Sequence, residues 1–148
     1  MYGKILVPVD GSETSKRGLA EACRLAKEQG AKLRCLIAID DHYLTANYMG
    51  FMYMPDLMDK LRENGKEILE EATEQARKSG VQVESVLRES AERRVSFMIL
   101  DEAKTWAADL IVMGTHGRRG LSHLALGSDA ESVVRDTHVP VLLVRSRA

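Results

Sequence analysis

The residues best placed to do chemistry lie in one stretch: Gly114, Thr115, His116 and Gly117, then nine residues, then Gly127 and Ser128. Glycines at both ends let backbone N–H groups approach an oxyanion with no Cβ in the way. Ser128 opens a helix whose positive dipole end faces the same point. Together they would cradle a phosphate. Arg118 and Arg119 add charge suited to a polyphosphate, although arginines on an exposed loop are as readily solvated. Two plainer readings compete: Ser128 and Glu131 have the spacing of a capping box, and Gly114 could simply end a buried strand. A strand pattern before the glycines and a helix pattern after them favour the phosphate site.

The elements that must position this stretch alternate from start to finish, as when crossover helices cover a parallel sheet. Ile5, Leu6, Val7 and Val9 form a first strand that stops at Asp10 and Gly11. Ser12 can cap a helix with Leu19, Ala22, Leu25 and Ala26 at helical spacing, which Gly30 ends. Leu33 to Ile39 is strand two. A second helix begins at Asp56 and ends at Gly80, and Gly65 inside it predicts a bend or frayed first turns, at a cost of about 1 kcal/mol relative to alanine. Val81 to Leu87 alternates as an edge strand, and Ser90 can cap a third helix carrying Val95, Met98, Ile99, Ala103 and Trp106. Leu110 to Met113 is continuously apolar, as a central strand covered on both faces requires. Ser128 to Asp136 is a short helix, and Val139 to Val144 the last strand. The fold class is therefore α/β: an open, doubly wound, five-stranded parallel sheet of order 3-2-1-4-5 with helices on both faces. Ligands bind such sheets beyond the C-terminal strand ends at the switch point, where Asp10 and the turn after Met113 should meet.

Length and composition bound the function. The chain has 148 residues and reads as a single domain over 1–148. It is 45% hydrophobic and 29% charged, with a formal net charge of -1, too balanced for a general nucleic-acid binder. No run approaches the roughly 18 apolar residues of a membrane span. Met1 to Lys4 leads into a strand rather than a signal peptide. Cys23 and Cys35 match no paired spacing and read as reduced, buried thiols, which suits the cytoplasm. His42, His116, His123 and His138 lack the spacing of zinc ligands.

The glycine set, with the opening KILVPVDGSE, the segment ADLIVMGTHGRRGL, the run LGSDAESVV and the closing PVLLV, resembles the ATP-binding branch of the universal stress protein family over nearly the whole chain. In that branch the pattern is G, two residues, G, nine residues, G and Ser or Thr, filled here by Gly114, Gly117, Gly127 and Ser128. The resemblance implies that Pro8 and Val9 line the base, and that Asp10 contacts the ribose or the Mg²⁺ of a metal–nucleotide. It implies that Ala38 presents backbone to the adenine edge, and that Met113 and Gly114 lie near the ribose. His116, Gly117, Arg118, Gly127, Ser128 and the N–H of Asp129 would surround the phosphates. Asp129 departs from the aliphatic residue common there, so binding is expected to depend on a metal. The turn at Glu89 and Ser90 lacks a glycine often found in the family.

Three function classes follow. The first is an ATP-binding regulatory protein, a homodimer through the hydrophobic edge strand Val141 to Val144, as both edge exposure and the family imply. The second is a slow Mg-dependent ATPase: Asp10, Asp129 and His116 are its only candidate groups, and the sequence holds no Walker lysine. The third is a dimeric scaffold with no nucleotide. The segment His42 to Met54, rich in Tyr, Met and Phe, is either a protein-partner surface or a covering loop. The VDGSETS stretch lacks the paired glycines of a pyrophosphatase loop.

Overall fold

Short β-branched runs and amphipathic stretches give, among the described residues of a computed structural model (1–41, 55–90, 92–116 and 126–146), the expected alternation. In chain order these elements are β1 (Lys4–Pro8), α1 (Glu13–Gln29), β2 (Lys32–Asp40), α2 (Pro55–Lys78), β3 (Val83–Ser90), α3 (Val95–Trp106), β4 (Leu110–Gly114), α4 (Ser128–Asp136) and β5 (Val141–Val144). The strands form one parallel sheet of order β3-β2-β1-β4-β5, the order the sequence pattern predicts.

Side chains alternate across a strand, so each central strand feeds two cores. Ile5, Val7, Leu33, Cys35, Leu110 and Val112 pack with Leu19, Ala22 and Cys23 of α1 and Leu69, Ala72 and Ala76 of α2. Leu6, Leu36, Ile111 and Met113 face the other way, onto Ile99, Ala103 and Trp106 of α3 and Ala130 and Val133 of α4. Covered on both faces, β4 can be apolar throughout, and it is buried from Leu110 to Met113. Glu102 is buried beneath the sheet, and two guanidiniums compensate it: Arg34 Nη1 lies 2.5 Å from one oxygen and Arg88 Nη1 3.5 Å from the other.

Local chemistry explains most boundaries. Ser12 caps α1, its side chain accepting from the Ser15 amide, and Gly30 in the left-handed region (φ 68°) closes it. Three expectations are corrected. Ser90 caps no helix: it is the last residue of β3, its hydroxyl accepts from the amides of Glu92 and Arg93, and α3 starts at Val95 behind Arg94. Hydroxyls of this kind stabilise local turns as readily as helix starts. Gly65 does not interrupt α2, which runs continuously from Pro55 to Lys78. A Cβ there would lie 3.0 Å from Ile39 Cδ1, so the glycine lets the helix pack closely on β2. The last strand begins at Val141 rather than Val139, because Thr137 Oγ1 donates to the Val139 carbonyl and accepts from its amide, holding a turn ahead of Pro140.

Candidate functional site

The crevice at the switch point is built by the ends of β1 and β4 and the first turn of α1. β1 makes its final sheet bond from Val9 N to Leu36 O (2.8 Å) and then turns away. The reversal is tight: Ser12 N donates to Asp10 Oδ1 (2.8 Å), Asp10 N donates to Ser15 Oγ (3.1 Å), and Gly11 takes φ 81°, which a Cβ would resist. One oxygen of the Asp10 carboxylate is thus committed to the turn.

The departure of β1 exposes β2. Leu36 directs its carbonyl to β1, while Leu33 N bonds to Gln82 O and Asp41 N to Ser90 O on the β3 side. Backbone direction alternates along a parallel strand. Ala38 therefore turns its N–H and C=O toward the β1 side, two residues past the last β1 register pair, Pro8 with Leu36. A donor and an acceptor sit side by side there with no strand opposite them among the described residues. Val9 and Met113, expected near the base and ribose, bury their side chains in the two cores, so only their backbones border the crevice.

On the β4 side the chain is held at consecutive residues. A Cβ on Gly114 would lie 2.5 Å from Thr14 Oγ1 and 2.8 Å from Thr14 C, so the glycine is what lets β4 end against the head of α1. Thr115 N donates to Val144 O (3.0 Å), Gly127 N donates to Thr115 O (2.8 Å), and Thr14 Oγ1 donates to the His116 carbonyl. The His116 ring is oriented by Nδ1 against Thr115 Oγ1 (2.9 Å), while its buried Nε2 has no partner among the described residues.

α4 enters the same place. Gly127 is its N-cap and makes no side-chain cap bond; Glu131 N donates to Gly127 O (2.9 Å) as the first helical link. Ser128 is the first helical residue rather than the cap, so the capping box with Glu131 does not form. The Gly127 amide, expected to face an oxyanion, is engaged by the Thr115 carbonyl. It is the amides following Gly127 that open the helix, and helix geometry gives them no acceptor within α4. Gly117 and Arg118 lie outside the described residues, as does the segment His42 to Met54. Among the described residues no three His, Cys, Asp or Glu side chains gather as a metal site.

A carboxyl pair, Asp41 and Glu89, lies at the ends of β2 and β3. Burial pushes the Asp41 carboxyl up, as do a hydrogen bond and charge from Glu89. The Arg62 guanidinium, with Nε 2.8 Å from Glu89 Oε2, holds Glu89 down. Sequence reasoning did not single out Thr14 and Ser15, the hydroxyls that tie His116 and Asp10 to α1. Their signal is two hydroxyl residues in a helix's first turn, both buried although polar, and burial is invisible in the sequence.

A family model described as the Universal stress protein family matches residues 1–145. The chain is 36% identical over 151 residues to the universal stress protein YxiE of Bacillus subtilis, covering 98% of this chain and 100% of the relative. Among solved structures it is similar to the hypothetical protein MJ0577 of Methanocaldococcus jannaschii, with a TM-score of 0.85, 27% identity and coverage of 99% and 98%. It is also similar to the universal stress protein of Archaeoglobus fulgidus in complex with dAMP, with a TM-score of 0.70, 25% identity and coverage of 97% and 98%.

Proposed function

The chain belongs to the universal stress protein family, and from that premise we propose that it is a regulatory protein that binds ATP in the crevice between β1 and β4. One observation carries this reading: the Asp10 turn, the Gly114 to His116 turn and the amide end of α4 converge and are hydrogen-bonded to one another or to α1. A solved family structure holding an adenine mononucleotide supports the ligand class.

The roles follow from the geometry. Ala38 offers C=O to the adenine amino group and N–H to its ring nitrogen, an order guanine does not match. Pro8, Val9, Met113 and Gly114 border base and ribose through their backbones, and Asp10 takes the ribose or the metal. His116, Gly117, Arg118, Ser128 and the Asp129 amide serve the phosphates, favoured by the helix dipole, while Gly127, its amide engaged by the Thr115 carbonyl, sets how α4 enters. The Asp129 carboxylate, beside a triphosphate, makes Mg²⁺ the natural companion of the ligand. Without a Walker lysine to stabilise the leaving phosphate, bound ATP acts as a signal rather than a fuel.

The whole chain, 1–148, serves as one nucleotide-binding domain and pairs with a second copy along β5. Pro140 O and Val144 O are taken by Ile111 and Thr115, so Val141 and Leu143 turn N–H and C=O outward on an apolar edge. The opposite edge strand, β3, carries Glu84, Arg88 and Glu89, each in ion pairs. Cys23 and Cys35, buried and without a disulfide, support a cytoplasmic location. Titration calorimetry with MgATP and MgGTP tests the assignment. ATP should bind at micromolar concentration, at least tenfold tighter than GTP, and phosphate release should stay below about 1 s⁻¹, the lower end of ordinary turnover. Absence of ATP binding, or faster release, would remove the regulatory nucleotide reading.

A further inference from the structure

We propose that Thr14 is a positioning residue of this site: its hydroxyl, by holding the His116 carbonyl, fixes the phosphate turn on the head of α1. The inference rests on the nucleotide reading above and adds a residue that contacts no ligand in it. In a helix's first turn a threonine hydroxyl ordinarily serves the local backbone. Thr14, buried in that turn, instead reaches a carbonyl 102 residues away, with Ser12 Oγ at 3.4 Å as its other neighbour.

The contact is confined on the β4 side. Gly114 meets the Thr14 backbone and hydroxyl so closely that a Cβ would overlap both. Thr115, next in the chain, is fixed at N–H by Val144 and at C=O by Gly127. The His116 peptide is therefore the link that sets how the turn leaves β4, and Thr14 is what holds it. The His116 imidazole beside it keeps a buried Nε2 with no partner among the described residues. The same helical turn secures Asp10 through Ser15 Oγ, so one turn of α1 carries both the Asp10 side and the phosphate side of the crevice.

Thr14→Val keeps the branched shape and removes the donor, whereas Thr14→Ser keeps the donor. Competition against a fluorescent ATP analogue, with ATP and AMP as competitors, reads the effect, and thermal melts of the free proteins read the fold. Thr14→Val should weaken ATP at least tenfold and AMP by less, with Thr14→Ser within threefold of wild type for both. If Thr14→Val does not fold, Thr14→Ala takes its place; failure of both to fold makes Thr14 a folding residue and overturns the proposal. It is equally overturned by wild-type ATP affinity in Thr14→Val, by equal losses in the Val and Ser variants, or by equal losses for ATP and AMP. A wild-type protein that binds neither nucleotide would instead remove the functional reading on which the proposal stands.

Discussion

At the scale of the residue, the site is an arrangement of glycines and hydroxyls whose roles differ with their neighbours. Gly114 and Gly18 both lie where α1 meets β4, but the space around them is unequal. A Cβ on Gly18 would stand 3.5 Å from Gly114 N, an ordinary contact, whereas one on Gly114 would overlap Thr14. Gly114→Ala should therefore destabilise the protein by about 1–3 kcal/mol, the usual cost of overpacking. Gly18→Ala should be neutral or stabilising by up to about 1 kcal/mol through helix propensity. Urea denaturation of the two variants checks the contrast, and equal midpoints would show that the backbone shifts freely here. The glycine pattern itself was legible in the sequence because glycine is the one residue whose absence of a side chain is its function. Thr14 was not legible, since nothing in its identity says that its partner lies beyond β4.

Among the elements, α2 and β3 are joined by a charge pair that titrates. The hydrogen bonds and charge of Arg62 hold the Glu89 carboxyl below its ordinary 4.5. A carboxyl depressed in the folded state contributes stability above its unfolded pKa, and that contribution is lost as pH falls through the depressed value. Arg62→Met should thus lower stability modestly at pH 7, because both partners are partly exposed and screened by solvent, and hardly at all at pH 3. Asp41 works in the opposite sense: burial raises it above 3.8, so its contribution declines as pH rises through the raised value. Chemical denaturation at pH 7, 5 and 3 decides the point, and a constant difference between variant and wild type would count against the pair. Periodicity located α2, which continues through Gly65 and extends to Pro55, ahead of it. Propensity describes an isolated helix, whereas close packing on Ile39 governs this one.

For the molecule as a whole, the two sheet edges are unlike, and the difference predicts assembly. The Leu143 N–H points away from β4, so Leu143→Pro removes an outward donor while leaving the β4 ladder bonds in place. Light scattering after size-exclusion chromatography should show a dimer for the wild type and a monomer for Leu143→Pro, with the circular dichroism of the fold retained. A folded variant that stays dimeric would move the interface off β5. The proposed nucleotide site and this edge share Thr115, whose amide bonds to Val144, so the strand that would meet a second copy also supports that site.

The sequence by itself determined the order of elements, the five parallel strands and the glycine pair that brackets the site, because hydrophobic period and the need for a missing Cβ are local properties. Tertiary structure alone decided that the β1 pairing ends at Leu36, two residues short of Ala38, that the Gly127 amide turns to Thr115, and that the first turn of α1 holds Asp10 and His116 together. Those outcomes depend on register and on contacts between segments as much as 102 residues apart, which no local pattern of side chains encodes.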